Sequence, residues 1–374
     1  MTTSLKILMT TDVSNNKWDY TNALCESILS LQKAQILLVS TGRSYEPKQV
    51  DYAECINSDI SVKWENNFHK FKSNNEDFGE FIDEIAKDFQ PNIMHLNHYC
   101  NNIQSSATKV LTTHGDALNN IKWTSFNMHF HPYKQYIQSC LDSSDRIVAT
   151  TKVLAKNLLG SYELNKQINL IYNGVHCEPY IGEKSGMVLL TSSKSLLKKH
   201  NLDMVLRILQ RLPDDMKIYV IGTKPAWLRL PEKLEFLGHL SNDELKKYYE
   251  KASIYLALSS WDIFNMNTFY AACSGCALLA CDSPIFREIW GDSAHFFDMN
   301  SPDNFMRNLN NLLENKLLFE KVTQSCKNKA LATYTLKRMG FEYLNLYKKE
   351  PSGGKNISKK SEIKKDIQQD IFIQ

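Results

Sequence analysis

Residues Ala257 to Cys281 pass from an apolar run through a polar loop at 259–265 into a segment with helical spacing, which sets the backbone N–H groups of Asn265 to Thr268 at a helix start. Such a start gathers unpaired donors at the positive end of the helix dipole and can hold an anion. A plain N-capping role for Asn265 or Asn267 accounts for the same residues equally well. Cys273-Ser-Gly-Cys276 is spaced like half of a zinc knuckle, but no second pair lies at ligand spacing and its surroundings are apolar, which favours buried structural cysteines. His129 and His131 could supply two corners of a metal site, yet no carboxylate or cysteine is spaced to complete it. No Gly-x-Gly-x-x-Gly follows a strand, so the usual dinucleotide fingerprint is absent.

These residues need a scaffold, and the apolar patterning supplies one. Leu5 to Thr10 reads as a strand buried on both faces, Trp18 to Leu31 as a helix and Ala34 to Ser40 as the next strand. The alternation continues with a helix at Asp77–Phe89, strands at Ile93–Leu96 and Lys109–Thr113, a helix at Tyr133–Asp142 and a strand at Arg146–Ala149. After Tyr172-Asn-Gly-Val175, whose Asn-Gly pair marks a turn, and the polar stretch Glu178–Gly186, a second run begins. It has strands at Met187–Thr191, Met216–Ile221, Leu234–Leu237, Ile254–Leu258 and Ala277–Ala280, with helices at Leu202–Leu212, Asp243–Lys251 and from Asn267. Strand–helix alternation of this kind predicts an α/β fold of two doubly wound, Rossmann-like domains, with ligands beyond the carboxyl ends of the strands in a central cleft.

Composition narrows the function classes. The 374 residues are 43% hydrophobic and 23% charged, enough for two packed domains. Forty-four Lys and Arg against 41 Asp and Glu give a net charge of +3, too small to nominate nucleic acid as the main partner, so an anionic ligand must be met locally. No stretch approaches a membrane span and the N-terminus lacks a signal-like apolar region, so a cytoplasmic protein is expected. Nine scattered cysteines are expected as reduced thiols. The last residues, 351–374, are rich in lysine, with Ile363, Ile367 and Ile371 at helical spacing; a mobile tail is the plain expectation, and a helix docking on a partner or an acidic membrane surface the alternative.

The block Phe264-Asn-Met-Asn-Thr-Phe-Tyr-Ala-Ala-Cys-Ser-Gly-Cys276, followed by Asp282-Ser-Pro284 and Arg287-Glu-Ile289, resembles the C-terminal domain of retaining glycosyltransferases of the family 4 type. Thr11-Asp-Val13, Trp18-Asp-Tyr20, Thr113-His-Gly115, Ile171-Tyr-Asn-Gly-Val175, Phe236 to Leu245 and a terminal helix at Tyr334–Tyr347 are similar to family features in the same order. The resemblance implies the GT-B fold, an N-terminal acceptor-side domain at 1–175, a nucleotide-sugar domain at 176–335, and a helix at 336–350 crossing back to the first domain.

It also implies roles. Lys194 and Lys199 stand where the family places an Arg and a Lys on the donor pyrophosphate; two cations beside a helix start can neutralise a departing diphosphate, although Lys lacks the bidentate fork of Arg. The family's paired glutamates, eight positions apart, are Asp262 and Tyr270 here; Asp262 keeps a carboxylate near the transferred sugar, while a Tyr at 270 cannot accept from both ribose hydroxyls. The family's Gly after Phe is Asn265, and its Gly-Gly loop in the first domain is Ser14-Asn-Asn-Lys17. His114 corresponds to a strand-end His aimed at the donor sugar. The expected catalytic set is therefore His114, Lys194, Lys199 and Asp262, and the expected donor-binding set Asn15, Asn16, Gly222, Gly238, His239, Asn265, Met266, Asn267 and Tyr270, with Gly238 and His239 by the base. The function implied is metal-independent, cofactor-free transfer of a sugar, with retention, from a nucleotide-sugar to an unidentified acceptor, the leaving phosphate helping to deprotonate that acceptor. The altered acidic pair motivates an alternative, a non-catalytic GT-B binding module or partner subunit.

Overall fold

The computed structural model describes residues 4–12, 17–42, 50–62, 68–115, 130–176, 180, 182–191, 199–224, 226, 229, 231–258 and 264–349. The chain forms two compact units that part between Ile171 and Tyr172 and again between Met339 and Gly340.

The first unit contains β1 (Leu5–Asp12), α1 (Lys17–Leu31), β2 (Ala34–Thr41), β3 (Glu54–Asn57), α2 (Phe68–Phe89), β4 (Ile93–Leu96), β5 (Thr108–Thr113), α3 (Phe130–Ser143), β6 (Arg146–Ala149), α4 (Lys152–Ser161) and β7 (Ile168–Leu170). Its seven strands lie in the order β3-β2-β1-β4-β5-β6-β7, every pairing parallel. Burial on both faces explains the continuous apolar runs: β4 and β6 are buried at every position, and β1 from Ile7 to Asp12. Helix α2 starts nine residues before the expected Asp77, because its buried stripe Phe71, Asn75, Phe78, Ile82, Ala86 begins earlier than the purely apolar pattern shows.

The second unit contains β8 (Val188–Thr191), α5 (Lys199–Leu209), β9 (Ile218–Ile221), β10 (Leu234–Phe236), α6 (Asn242–Lys251), β11 (Ile254–Ala257), α7 (Met266–Cys273), β12 (Ala277–Cys281), α8 (Pro284–Trp290), β13 (His295–Phe297), α9 (Pro302–Glu314) and α10 (Lys316–Thr333); α11 (Leu336–Lys348) begins in it. Its six strands, also parallel, run β10-β9-β8-β11-β12-β13. Helices α8, α9 and α10 are additions to the sequence reading, each with an explicit start: Ser283 caps α8 and Ser301 caps α9, both followed by Pro, and Asn315 ends α9 and caps α10. Helix α5 spans Lys199–Leu209, three residues N-terminal to the expected Leu202–Leu212.

The segment at 172–175 is not the expected turn. Val175 pairs in parallel with Thr335 and donates its N–H to the Tyr334 carbonyl (2.9 Å), while Arg338 donates to the Tyr172 and Asn173 carbonyls at 2.8 and 3.0 Å. Gly174 fits here because a Cβ would meet the Thr335 carbonyl oxygen at 2.7 Å. These contacts place the division ahead of the expected residue 175 and draw the start of α11 into the second unit, past the expected 335. From Gly340 onward α11 packs in the first unit, where a Cβ on Gly340 would lie 2.2 Å from Ser27 Oγ.

The expectation of wholly reduced cysteines fails at Cys273, which is disulfide-bonded. The chain entering the second unit runs beside it, Tyr180 donating to the Cys273 carbonyl (3.3 Å). Cys276 is a buried thiol 3.2 Å from the Tyr249 and Ala252 carbonyls, and burial pushes it up to about 12. No helix among the described residues is long and apolar enough to cross a membrane.

Candidate functional site

In each sheet the chain winds outward in one direction, returns, and winds the other way, creating switch points between β1 and β4 and between β8 and β11. Loops leaving the carboxyl ends of such strand pairs diverge and open a ligand site. The expected catalytic and donor-binding residues follow the carboxyl ends of strands: Asn15 and Asn16 follow β1, His114 follows β5, Lys194 and Lys199 follow β8, Gly222 follows β9, Gly238 and His239 follow β10, and Asp262 and Asn265, Met266, Asn267 and Tyr270 follow β11. Asn15, Asn16, Lys194 and Asp262 lie outside the described residues, as does His129; Lys199 is described by its backbone, as the first residue of α5.

His114 is held on two sides. Its Nε2 lies 2.8 Å from Asn97 Oδ1, and the Asn97 amide is oriented by its Nδ2 donating to the Thr10 carbonyl (2.7 Å). A carbonyl only accepts, so Oδ1 faces the imidazole and Nε2 carries the proton. In the neutral ring the lone pair then sits on Nδ1, an acceptor suited to a hydroxyl. The Tyr20 ring meets His114 edge-on at 4.5 Å between centroids. Asn97 comes from the residue just beyond β4, across the switch point from β1, and its own N–H donates to Thr10 Oγ1 at 2.8 Å. Asn97 and Tyr20 were not among the expected site residues; the signal that could have found Asn97 is a polar residue directly after the short buried strand Ile93–Leu96.

Behind Tyr20 runs a buried chain of hydroxyls. Tyr20 donates to the Tyr343 hydroxyl (2.8 Å), which is 3.0 Å from Thr112 Oγ1, which is 2.8 Å from His95 Nε2; His95 Nδ1 is 2.5 Å from the Tyr347 hydroxyl. Burial holds His95 neutral, its pKa lowered to about 3, and pushes the Tyr20 and Tyr347 phenols well above their ordinary range. Tyr343 and Tyr347 belong to α11, so that helix braces the residue that braces His114.

In the second unit, α5 and α7 both start beyond neighbouring strands, β8 and β11, so two helix N-termini flank one switch point. The donors expected at Asn265 to Thr268 are partly spent locally. Asn265 is the N-cap of α7, its side chain accepting from the Asn267 N–H (3.1 Å), and its carbonyl accepts from both the N–H and the hydroxyl of Thr268 (3.1 and 2.7 Å). Asn267 Oδ1 accepts from the Tyr249 hydroxyl (2.9 Å), and the Tyr270 ring lies 6.4 Å from the Tyr249 ring. The capping reading therefore accounts for Asn265, and Asn267 belongs to a Tyr249 contact. Met266 opens the helix, half-buried. Gly222 and Gly238 pair across the ends of β9 and β10 through two reciprocal hydrogen bonds (2.9 and 3.2 Å), each with positive φ (125° and 76°). A Cβ on Gly238 would meet nothing within 4 Å, and His239 beside it is exposed. That leaves an open, backbone-lined surface next to the strand ends. Among the described residues no cluster of His, Cys, Asp or Glu could hold a metal ion.

Comparison with known proteins follows the same two-unit division. Residues 29–179 match the family described as Glycosyltransferase Family 4, and residues 181–332 the family described as Glycosyl transferases group 1. No curated protein matches the sequence. Among solved structures, the chain is similar to sucrose-phosphate synthase from Thermosynechococcus elongatus (TM-score 0.77, 11% identity, covering 92% of this chain and 98% of that one). It is also similar to WaaG, a glycosyltransferase involved in lipopolysaccharide biosynthesis (0.70, 12%, 94% and 100%). HepE of Anabaena in complex with UDP-glucose gives 0.67 at 10% identity, covering 91% and 99%. At these identities the likeness establishes the fold.

Proposed function

The chain has the GT-B fold and carries a Glycosyltransferase Family 4 domain ahead of a group 1 glycosyl transferase domain, and from that premise we propose that it transfers a sugar, with retention and without a metal ion, from a nucleotide-sugar to an acceptor. The observation that carries this reading is the pair of helix N-termini, α5 and α7, beyond the adjacent strands β8 and β11. Two positive dipole ends at one switch point suit a diphosphate, whose charge grows as the bond to the sugar breaks. Lys194, between β8 and α5, and Lys199, which opens α5, add their charges, and Asp262, between β11 and α7, orients the sugar. The paired Gly222 and Gly238, the latter facing open space, receive the base together with His239. His114, held by Asn97 just beyond β5, is placed to contact the sugar.

HepE, solved with UDP-glucose, makes that donor the first to try. Thermal melting is measured against UDP-, GDP- and ADP-sugars; a ligand bound only by the folded state raises the transition once its concentration passes the dissociation constant. The expected result is a shift with one donor, turnover whose product keeps the anomeric configuration by proton NMR, no loss of rate in EDTA, and at least roughly tenfold slower turnover in Lys199→Ala with unchanged folding. A chain that shifts with no donor and hydrolyses none is the non-catalytic binding module instead. The capped start of α7 and Tyr270 in place of the second carboxylate favour that second reading, and Tyr270→Glu separates the two: gain of donor use marks a drifted site, and loss marks Tyr270 as recruited.

A further inference from the structure

The first unit carries a groove of about 430 Å³ between α4, the edge strand β7 and the end of α11, lined by none of the expected site residues. Its floor is apolar, with Ala155, Leu159, Leu170 and Leu346, and Leu170 is 36% exposed. One side is rimmed by Lys152 and Lys156, a helical turn apart on α4. Lys349, the last described residue, also lines it, so the remaining 25 residues leave from the rim of the groove itself. The point of departure is pinned: the buried Arg146 guanidinium donates to the Lys349 carbonyl. Its Nη1 is buried without a partner, leaving a donor at this point of the groove that needs an acceptor.

The tail has the complementary pattern. Ile363, Ile367 and Ile371 recur every four residues, and Glu362, Asp366 and Asp370 recur at the same interval one position earlier, so a helix would carry an apolar stripe beside an acidic one. We propose that residues 361–374 dock in this groove of their own chain, with the isoleucines on Leu159, Leu170 and Leu346 and the acids facing Lys152 and Lys156. The 13 residues from Glu350 to Glu362, as a coil, reach about 20 Å. That tether sets an effective concentration on the order of mM, so even a weak contact is occupied.

Hydrogen exchange on the full chain tests this. The expected result is slowed exchange both in 361–374 and in the groove segments 155–171 and 344–349. Ile367→Asp, which removes no core residue of the described fold, is expected to speed both by roughly fivefold or more. Lys152→Glu with Lys156→Glu is expected to do the same, and adding Glu362→Lys with Asp366→Lys to restore protection. Groove amides indifferent to Ile367→Asp would overturn the proposal. So would tail protection seen only with phosphatidylglycerol vesicles, which assigns the tail to a membrane, or protection that rises with protein concentration, which assigns it to a second copy.

Discussion

Mild acid should loosen the first unit through one residue, His95. Its side chain is fully buried, with both ring nitrogens held by the hydroxyls of Tyr347 and Thr112, and burial lowers its pKa from 6.5 to about 3. The folded state thus refuses a proton that the unfolded chain accepts, so between pH 6.5 and about 3 the unfolded chain binds more protons and stability rises with pH. The contribution is complete above pH 6.5 and is lost as the pH falls. At about 1.4 kcal/mol per pH unit, the loss is roughly 2 kcal/mol at pH 5 and roughly 5 kcal/mol near pH 3. Urea unfolding of the first unit at pH 7.5 and pH 5, for wild type and His95→Gln, isolates it: the wild type should lose about 2 kcal/mol more than the variant across that interval. The variant starts lower, because it gives up part of the hydroxyl chain, but its slope with pH is shallower. Equal slopes, or a His95 imidazole that titrates above pH 5 by NMR, would refute the reasoning. The effect reaches the site, since the same chain supports Tyr20 against His114.

Asn97→Leu strips the His114 N–H and the Thr10 carbonyl of a buried partner; a cost of about 1–3 kcal/mol per orphaned group is expected in urea, with donor turnover falling more than the stability loss explains. Lys184 donates to the Tyr249, Glu250 and Ser274 carbonyls at the ends of α6 and α7, so Lys184→Met should destabilise the second unit by about 1–2 kcal/mol, read as a lower urea midpoint. Gly340→Ala puts a methyl 2.2 Å from Ser27 Oγ and 3.0 Å from the Ser27 carbonyl carbon; parting α11 from α1 should cost about 1–3 kcal/mol, and a stability gain, as helix propensity alone would give, would contradict the close approach.

The two parallel sheets and most of their strands can be read from the amino-acid pattern. Strands buried on both faces are predominantly apolar, and helices between them repeat at 3.6, so β4, β6, β11 and α1 are legible within a residue or two. The pattern also determined which loops carry the unusual residues, because a polar stretch right after an apolar strand can only be its carboxyl end. The remaining features arise only on folding. The brace on His114 joins Asn97 after β4, Tyr20 on α1 and Tyr343 on α11, up to 323 positions apart, and no local period marks polar groups that become partners only once buried. The Asn-Gly pair at 173–174 looked like a turn because both residues tolerate one, whereas packing against Thr335 uses the glycine for its missing side chain. The start of α7 likewise offered open donors in sequence, and only the folded geometry shows Asn265 turning back to take one: a cap and an anion compete for the same N–H groups, and which holds them is a matter of distance.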